Sequence, residues 1–373
     1  MDAEYSIDEL LAGMAEWDAS DLHLAAGSAP AIRVRGEVHQ FEDLPPLSAD
    51  DTQELLYRIL STEQQKRLEI ERQIDVSYAV PGVARFRVNV FFQQGAVGAA
   101  FRMIPEKIQS LEELGLPDSL HELTARPRGL VLVTGPTGSG KSTTLASLID
   151  EINRTRSAHI LTIEDPIEFL HPHRQCLVNQ REIGSDALGF SEALRAALRE
   201  DPDVILLGEM RDLETIGTAL TAAETGHLVF GTLHTRGAAS TVDRMIDVFP
   251  AEQQSQVRAQ IAGALEGVVT QALLPTADGA GRVAAVEILL PDDAVRNLIR
   301  QGKVEQIYSV MQTGTSRGMT TMEQTLCDLV LRRTVTLEVA LGCSSHPDQL
   351  MALLERSGHV EEAPAAGLRV AGG

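Results

Sequence analysis

The sequence predicts an α/β protein with two domains, a small one at its amino-terminal end and a larger one built on a mostly parallel sheet. Its 373 residues exceed the length of a usual single domain. From Gly129 onward, short apolar stretches that suit buried strands alternate with helical patterns, which is typical of a parallel sheet covered by helices. The first of these strands runs directly into a glycine-rich turn and a helix. We expect domains at 1–115 and 129–345, a linker at 116–128 and a flexible tail at 346–373.

The small domain is predicted from helix and strand patterns that follow one another. Apolar residues recur at helical spacing over 7–14 and again over 55–60. Residues 32–35 and 38–41 have the composition of two strands joined near a glycine. Apolar and polar residues alternate over 86–92, and Gly95 precedes a return strand that ends near Met103. These patterns indicate a small domain of mixed helices and strands.

The larger domain is predicted from four apolar strands separated by helical patterns. The strands are expected at 130–134, 160–163, 204–207 and 228–233. Helices are expected at 143–149, 255–274 and 292–310. Prolines between Pro105 and Arg128 indicate the linker, and the alanine- and glycine-rich tail from Gly358 is expected to be disordered.

A complete phosphate-binding motif lies between the first strand and the first helix of the larger domain. Residues 135–142 read Gly-Pro-Thr-Gly-Ser-Gly-Lys-Ser, which is the form G-x-x-x-x-G-K-[ST]. Its backbone N–H groups would surround a phosphate, and the helix N-terminus would add a favourable partial charge. Lys141 is expected to reach the β- and γ-phosphates, and Ser142 to ligate Mg²⁺. The residues expected to bind a nucleoside triphosphate are Gly135, Pro136, Thr137, Gly138, Ser139, Gly140, Lys141, Ser142 and Thr143.

Acidic residues and a histidine follow the neighbouring strands. The strand at 204–207 leads to Glu209, which could hold Mg²⁺ or its water. Three acids follow the strand at 160–163, and Glu164, the first of them, is predicted to act as general base. His234 directly follows the strand at 228–233, at its carboxyl end. There it could either contact the γ-phosphate or have a structural role.

Composition argues against several other classes of protein. The net charge of −21 disfavours nucleic acid and anionic membranes as default partners. The best apolar stretch, Val283 to Leu290, is short and interrupted by Glu287, so we expect no membrane insertion. Three widely spaced cysteines without C-x-x-C spacing, and an acidic N-terminus without signal-peptide features, indicate a cytoplasmic protein.

Four segments together resemble the PilT family, the retraction ATPases of type IV pili, within the type II and type IV secretion ATPases. They are GPTGSGKSTT at 135–144, TIEDPIEFLH at 162–171, ALREDPDVILLGEMRD at 197–212 and TAAETGHLVFGTLHT at 221–235. In this order they look like the Walker A, Asp box, Walker B and His box segments of that family. The resemblance extends over roughly residues 5 to 345.

The resemblance implies a Mg²⁺-dependent, homohexameric ATPase that drives pilus retraction and twitching motility. It implies a PAS-like N-terminal domain, a RecA-like ATPase domain and an inner-membrane platform protein of the pilus machine as partner. Glu164 would be the general base, Glu209 the Walker B acid and His234 a nucleotide-facing residue. Arginines of the N-terminal domain would complete the nucleotide site, although from the residues alone they could equally face solvent. These are Arg85, Arg87 and Arg102.

A further segment narrows the resemblance to the retraction enzymes. Residues 294–300 are similar to the AIRNL motif of that subfamily, with Val295 in place of isoleucine. Helical spacing places Val295, Leu298 and Ile299 in an apolar stripe on one face of a helix. Arg296, Asn297 and Arg300 are then predicted to be free to engage a partner or a neighbouring domain, or simply to be solvated.

Three other functions are compatible with the same phosphate loop. A pilus-assembly or type II secretion ATPase would work in the opposite direction, although the four-cysteine zinc motif typical of extension enzymes is absent from this sequence. A RecA-like nucleic-acid translocase is disfavoured by the acidic charge. A non-catalytic scaffold is disfavoured because the lysine, the magnesium ligand and both candidate acids are present.

Overall fold

The computed structural model describes residues 5–17, 19–34, 36–104 and 107–358. They form two compact units. The first unit is drawn from Met1–Ile108 and Pro166–Leu170, and the second from Gln109–Asp165 and His171–Gly373.

The first unit is a six-stranded antiparallel sheet with three helices. The strand order is β3-β2-β1-β6-β5-β4, and every neighbouring pair is antiparallel. The strands are β1 (Asp21–Leu24), β2 (Ala31–Val34), β3 (Glu37–Gln40), β4 (Gln73–Val80), β5 (Ala84–Gln93) and β6 (Ala96–Ile104). The helices are α1 (Ile7–Glu16), α2 (Ala49–Ile59) and α3 (Thr62–Glu71).

Each of these helices begins at a serine that caps it. The side chains of Ser6, Ser48 and Ser61 each accept a backbone N–H bond from the first turn, and an acid or glutamine three residues later bonds back to the serine N–H. The alternation predicted over 86–92 places Phe86, Val88 and Val90 in the core. The elements that were predicted in this unit lie close to where the sequence places them, whereas β1, β4 and α3 were not predicted.

The second unit is a seven-stranded sheet in the order β13-β12-β7-β11-β10-β8-β9. All neighbours are parallel except the edge pair β12–β13. The strands are β7 (Gly129–Thr134), β8 (His159–Glu164), β9 (Leu177–Glu182), β10 (Val204–Leu207), β11 (Leu228–Leu233), β12 (Leu265–Pro275) and β13 (Arg282–Leu289). Every residue of β7, β10 and β11 is buried, as expected for central parallel strands. The predicted α/β fold with a mostly parallel second sheet is confirmed.

Helices cover this sheet and continue into a carboxy-terminal group. Those from the first half of the unit are α4 (His121–Thr124), α5 (Lys141–Thr155), α6 (Phe190–Ala197), α7 (Leu213–Glu224) and α8 (Ala238–Asp247). The remainder are α9 (Ala251–Ala264), α10 (Asp293–Gln301), α11 (Ile307–Thr313), α12 (Met322–Leu331), α13 (Leu337–Cys343) and α14 (Pro347–Arg356). None of the helices in the described ranges is both long and apolar enough to cross a membrane.

Two predicted helices are wrong in extent. The helix expected at 255–274 ends at Ala264, and the chain continues as strand β12, because its β-branched residues pair with the buried strand β7. The helix expected at 292–310 stops at Gly302, which adopts a left-handed conformation with φ of 69° and ends α10.

The expected linker and the expected tail also differ from the structure. Leu116, Leu120 and Leu123, in the segment predicted as a linker, are buried in the core of the second unit. The expectation of a flexible tail does not hold for the first part of 346–373, because α14 (Pro347–Arg356) lies there and buries Leu350 and Leu354. Arg35 and the residues beyond Gly358 lie outside the described residues.

Candidate active site

The predicted site residues of the second unit follow strands that end at one edge of the sheet. Strands β7, β11, β10 and β8 are consecutive and parallel, so their carboxyl ends lie side by side. The phosphate motif follows β7, His234 follows β11, Glu209 comes two residues after β10, and Glu164 is the last residue of β8. This is the edge at which parallel α/β sheets bind ligands.

The phosphate motif forms a turn that needs its glycines. Gly135, Gly138 and Gly140 have φ angles of 140°, 79° and 87°, which other residues rarely adopt. A Cβ on Gly135 would also lie 2.2 Å from the Gln271 carbonyl oxygen. Gly140 occupies the N-cap of α5 and contributes no capping side chain, so the helix N-terminus is suited to an anionic ligand.

Lys141 lies against the same turn. Its Nζ donates to the carbonyl oxygens of Gly135 at 2.8 Å and Pro136 at 3.1 Å. Because the lysine is the first residue of α5, its ammonium group adds positive charge where the helix dipole is already positive. Ser142 and Thr143 are half-buried in the first turn of the helix. The lysine and the helix end together make this turn an anion site.

Sequence reasoning missed a residue that supports the phosphate turn. Gln271 on β12 is buried, and its Oε1 accepts a bond of 2.7 Å from the Thr144 hydroxyl of α5. A Cβ on Gly140 would lie 2.7 Å from Gln271 Nε2, so the amide packs directly on the turn. The adjacent Thr270 hydroxyl lies 2.9 Å from that of Thr134, at the end of β7. No motif marks these residues, and the pattern predicted a helix there.

Glu164 is buried, and its carboxylate contacts its own sheet. Oε1 accepts hydrogen bonds from the Thr162 hydroxyl at 2.6 Å and from Gln180 Nε2 at 3.3 Å. A Cβ on Gly208 would lie 3.2 Å from the Glu164 Cα, so the chain just after β10 passes close to this acid. The two strand-end acids therefore occupy neighbouring positions at the sheet edge.

Glu209 and His234 are in direct contact. His234 Nε2 lies 3.0 Å from Glu209 Oε1, and Arg211 forms an ion pair with the same oxygen. The hydrogen bond and charge of Glu209 raise the pKa of Arg211. Arg211 is largely exposed, and no sequence signal pointed to it. The structure thus brings together two residues that sequence reasoning placed at the site separately.

The three predicted arginines belong to the first unit and share one face of its sheet. Arg87 on β5 is directly opposite Arg102 on β6, and Arg85 is two residues before Arg87. Arg102 Nε donates to Asp21 Oδ1 at 2.8 Å, and Arg85 Nη2 donates to the Ser77 hydroxyl at 2.8 Å. The Asp21 side chain is buried, whereas that of Arg102 is 72% exposed.

The segment similar to AIRNL forms helix α10, but one of its polar residues is not free. Arg296 Nη1 donates to the carbonyl oxygens of Ala262 at 2.7 Å and Gly263 at 3.2 Å, at the end of α9. Its Nη2 donates to Glu266 Oε1 at 3.0 Å. The prediction that Arg296 is free to engage a partner is therefore wrong, because the side chain caps a neighbouring helix. Asn297 and Arg300 are exposed, as predicted.

A phosphate turn and two strand-end acids at the carboxyl edge of a mostly parallel sheet define a P-loop nucleoside triphosphatase. Residues 3–341 match the family described as "Type II/IV secretion system protein". The chain belongs to this family, and within it to the pilus retraction ATPases.

Individual relatives agree with this assignment over nearly their whole length. The chain is 57% identical to the "Type IV pilus retractation ATPase PilT" of Pseudomonas aeruginosa, over 92% of this chain and 99% of that protein. It is 52% identical to the "Twitching motility protein" of Neisseria gonorrhoeae, over 90% of each. A crystal structure described as "the Pilus Retraction Motor PilT and Bound ADP" has a TM-score of 0.89 at 52% identity and covers 94% of this chain and all of that one.

Proposed function

We propose that this chain hydrolyses ATP to power the retraction of a type IV pilus. The observation that carries the proposal is the single sheet edge that holds the phosphate turn, Glu164, Glu209 and His234. The relatives named for pilus retraction and twitching motility support the choice among motors with this fold. The ADP bound to the related retraction motor supports an adenine nucleotide as the ligand.

Each residue of the edge has a separate task in the proposed reaction. The N–H groups of the turn and Lys141 bind the β- and γ-phosphates and neutralise charge that builds on the transferred group. Glu164 accepts the proton of the attacking water, and its burial keeps competing water away. His234 holds Glu209 from the side of β11, where it could respond to the γ-phosphate.

Mg²⁺ fits the donor set at this edge. Magnesium in such sites is held by one or two protein oxygens together with the phosphates of the substrate. The Ser142 hydroxyl in the first turn of α5 and the Glu209 carboxylate supply oxygens of that kind. When bound, the ion would offset negative charge on the phosphate oxygens.

The proposal includes an assembly in which subunits complete one another's sites. Arg85, Arg87 and Arg102 would supply positive charge to a nucleotide bound in a homohexamer, as arginine fingers do. We further propose a PAS-like domain at 1–115, an ATPase domain at 129–345, and a cytoplasmic location at the inner face of the membrane. The partner receiving the force would be the inner-membrane platform protein of the pilus machine.

The test combines purified protein with cells. Purified protein should hydrolyse ATP only with a divalent cation, and DNA should leave the rate unchanged, whereas stimulation by DNA would favour a translocase. A deletion strain should be hyperpiliated and should not twitch. Loss of pili on deletion would instead favour an assembly motor, and lack of any ATP hydrolysis by the assembled protein would favour a scaffold.

A further inference from the structure

Two hydrogen bonds converge on one oxygen of Glu164. The Thr162 hydroxyl donates to Oε1 at 2.6 Å, and Gln180 Nε2 donates to the same atom at 3.3 Å. The first distance is typical of a strong bond from a hydroxyl to a carboxylate, and the second is slightly longer than the usual range for an N–H donor. Both donors belong to the sheet rather than to a mobile loop.

The sheet places these three side chains on one face. Thr162 and Glu164 are two residues apart on β8, so their side chains point the same way. In the parallel pairing of β8 with β9, Gln180 is directly opposite Thr162. The strand register therefore sets the position of Gln180 beside the acid.

A second bond fixes which end of the Gln180 amide faces the acid. Gln180 Oε1 accepts the backbone N–H of His171 at 2.8 Å. With the oxygen used in this way, the amide NH₂ is the end directed at Glu164, so the glutamine presents a donor. His171 is buried, and burial lowers its pKa to about 4, so its ring adds no positive charge at neutral pH.

The charged groups near Glu164 make the Thr162 and Gln180 donors important for keeping its carboxyl group ionised. Glu182 is directly opposite Glu164 on β9, Asp165 is the next residue, and Glu209 with its partner Arg211 follows β10 on the other side of β8. Most of these groups are acids, which favour the protonated form of a neighbouring carboxyl. Hydrogen bonds to the ionised form oppose that tendency.

We propose that Gln180, together with Thr162, is a positioning residue for ATP hydrolysis that keeps the Glu164 carboxylate ionised and fixed in direction. The inference rests on the proposed role of Glu164 as general base. Neither donor needs to touch the nucleotide, so their effect should reach the chemical step without altering nucleotide binding.

The experiment measures kcat, KM and ADP affinity between about pH 4 and pH 9, because an ionised carboxylate base takes up its proton below about pH 5. In Gln180→Glu the donor is replaced by an acceptor of the same size, and in Gln180→Met it is removed. Thr162→Val removes the hydroxyl at constant shape. Asn179→Asp is the matched control, because Asn179 is the preceding residue on β9, is exposed and points to the other face.

We expect kcat to fall about tenfold or more in Gln180→Glu and Thr162→Val, and somewhat less in Gln180→Met. The acidic limb of the kcat profile should move up by about one pH unit, because a carboxylate that loses a donor binds a proton more readily. ADP affinity and the oligomeric state should stay as in the wild type. Asn179→Asp should match the wild type in every measurement.

Unchanged kcat and pH profiles in the Gln180 and Thr162 variants would overturn the inference. A fall in kcat without movement of the acidic limb, or one accompanied by weaker ADP binding, would also overturn it and indicate a structural role. If Gln180→Glu does not fold, Gln180→Met and Thr162→Val carry the same test. Wild-type turnover in Glu164→Gln would show that the base itself is misassigned, whereas an inactive Glu164→Gln beside normal Gln180 variants would remove only the positioning role.

Discussion

The phosphate turn and helix α10 both carry sequence motifs, yet the motifs predicted their structures unequally. At the turn, Lys141 and the positive-φ glycines adopt the arrangement that the motif requires. In α10, the pattern predicts that Arg296 either engages a partner or is solvated, but the side chain bonds to the end of α9 and to Glu266. The phosphate motif determines a local backbone geometry, whereas the motif in α10 specifies only which residues are present.

This difference shows when a motif alone is enough to predict the geometry of its residues. A phosphate turn is made by its own backbone, so the residues that define it also determine its shape. A polar residue on a helix can face either solvent or the carbonyls at the end of a neighbouring helix, and helical spacing does not distinguish the two. Arg296 belongs to the second kind, and only its contacts identify what it does.

The largest effect is expected from Lys141→Ala. ATP hydrolysis should fall by about a thousandfold or more, because the ammonium group would offset the charge that builds on the phosphate oxygens in the transition state. Thermal unfolding should change little, since the bonds to Gly135 and Pro136 join neighbouring residues of one turn. Steady-state hydrolysis and a thermal melt measure both, with the exposed Lys303→Ala as control. Turnover near wild type in folded Lys141→Ala would remove this turn as the active site.

Replacing the two strand-end acids, Glu164 and Glu209, should impair ATP hydrolysis in different ways. Glu164→Gln should lower kcat by about a hundredfold or more and leave nucleotide binding intact, because an amide cannot accept the proton of water. Glu209→Gln should lower kcat and also raise the Mg²⁺ concentration needed for half activity. Titration of each variant with Mg²⁺ and ADP separates the two roles, with the exposed Glu338→Gln as control. Normal turnover in Glu164→Gln and none in Glu209→Gln would exchange the assignments.

Most of the fold and the outline of the site could be predicted from the sequence, and the predictions that were wrong or missing have physical reasons. Strong apolar strands and the phosphate motif were predictable because each is encoded within a few neighbouring residues. Strand β12 was mistaken for helix because its assignment depends on pairing with β7, which local spacing does not contain. Gln271 and Gln180 were missed for the same reason, since each acts through contacts with residues distant in sequence. Arg211 lies within the segment at 197–212, but nothing in that segment indicates that it pairs with Glu209.

Arg296→Ala should weaken the fold more than it weakens the chemistry. The variant leaves two carbonyls of α9 and the mostly buried Glu266 without this donor, although Arg126 Nε still lies 3.4 Å from Glu266 Oε2. We expect the free energy of unfolding to drop by about 2 kcal/mol. Urea unfolding measures it, and the exposed Arg300→Ala on the same helix should lose less than about 0.5 kcal/mol. Equal stability of the two variants would restore the original expectation for Arg296.

Acid should lower the stability of the protein through His171. Burial lowers the pKa of this histidine to about 4, so between that pH and its ordinary value near 6.5 the unfolded chain binds a proton that the folded chain does not. Stability attributable to His171 is therefore present above that window and is lost as the pH falls through it. Relative to His171→Leu, the wild type should lose about 1 kcal/mol between pH 7.5 and pH 5.5. Parallel stability curves for the two proteins would contradict this.

The smallest effect on the purified protein is expected from combining Asn297→Ala with Arg300→Ala. Both side chains are exposed on α10, so the double variant should stay within about 0.5 kcal/mol of wild-type stability and keep its ATPase rate. If this face couples hydrolysis to retraction, cells carrying the variant should nevertheless be hyperpiliated and unable to twitch. Arg296→Ala provides the contrast, since any motility it loses should follow its lost stability.

Pilus counts, twitching zones and ATPase rates for the two variants decide between coupling and capping. Normal twitching in the double variant would mean that the exposed face of α10 is merely solvated, and that the motif's contribution is the Arg296 cap. Loss of ATPase and twitching together in the double variant would instead indicate that the exposed face supports the assembly itself. Only intact hydrolysis with lost retraction assigns this face to force transfer, because that outcome separates the motor's chemistry from its load.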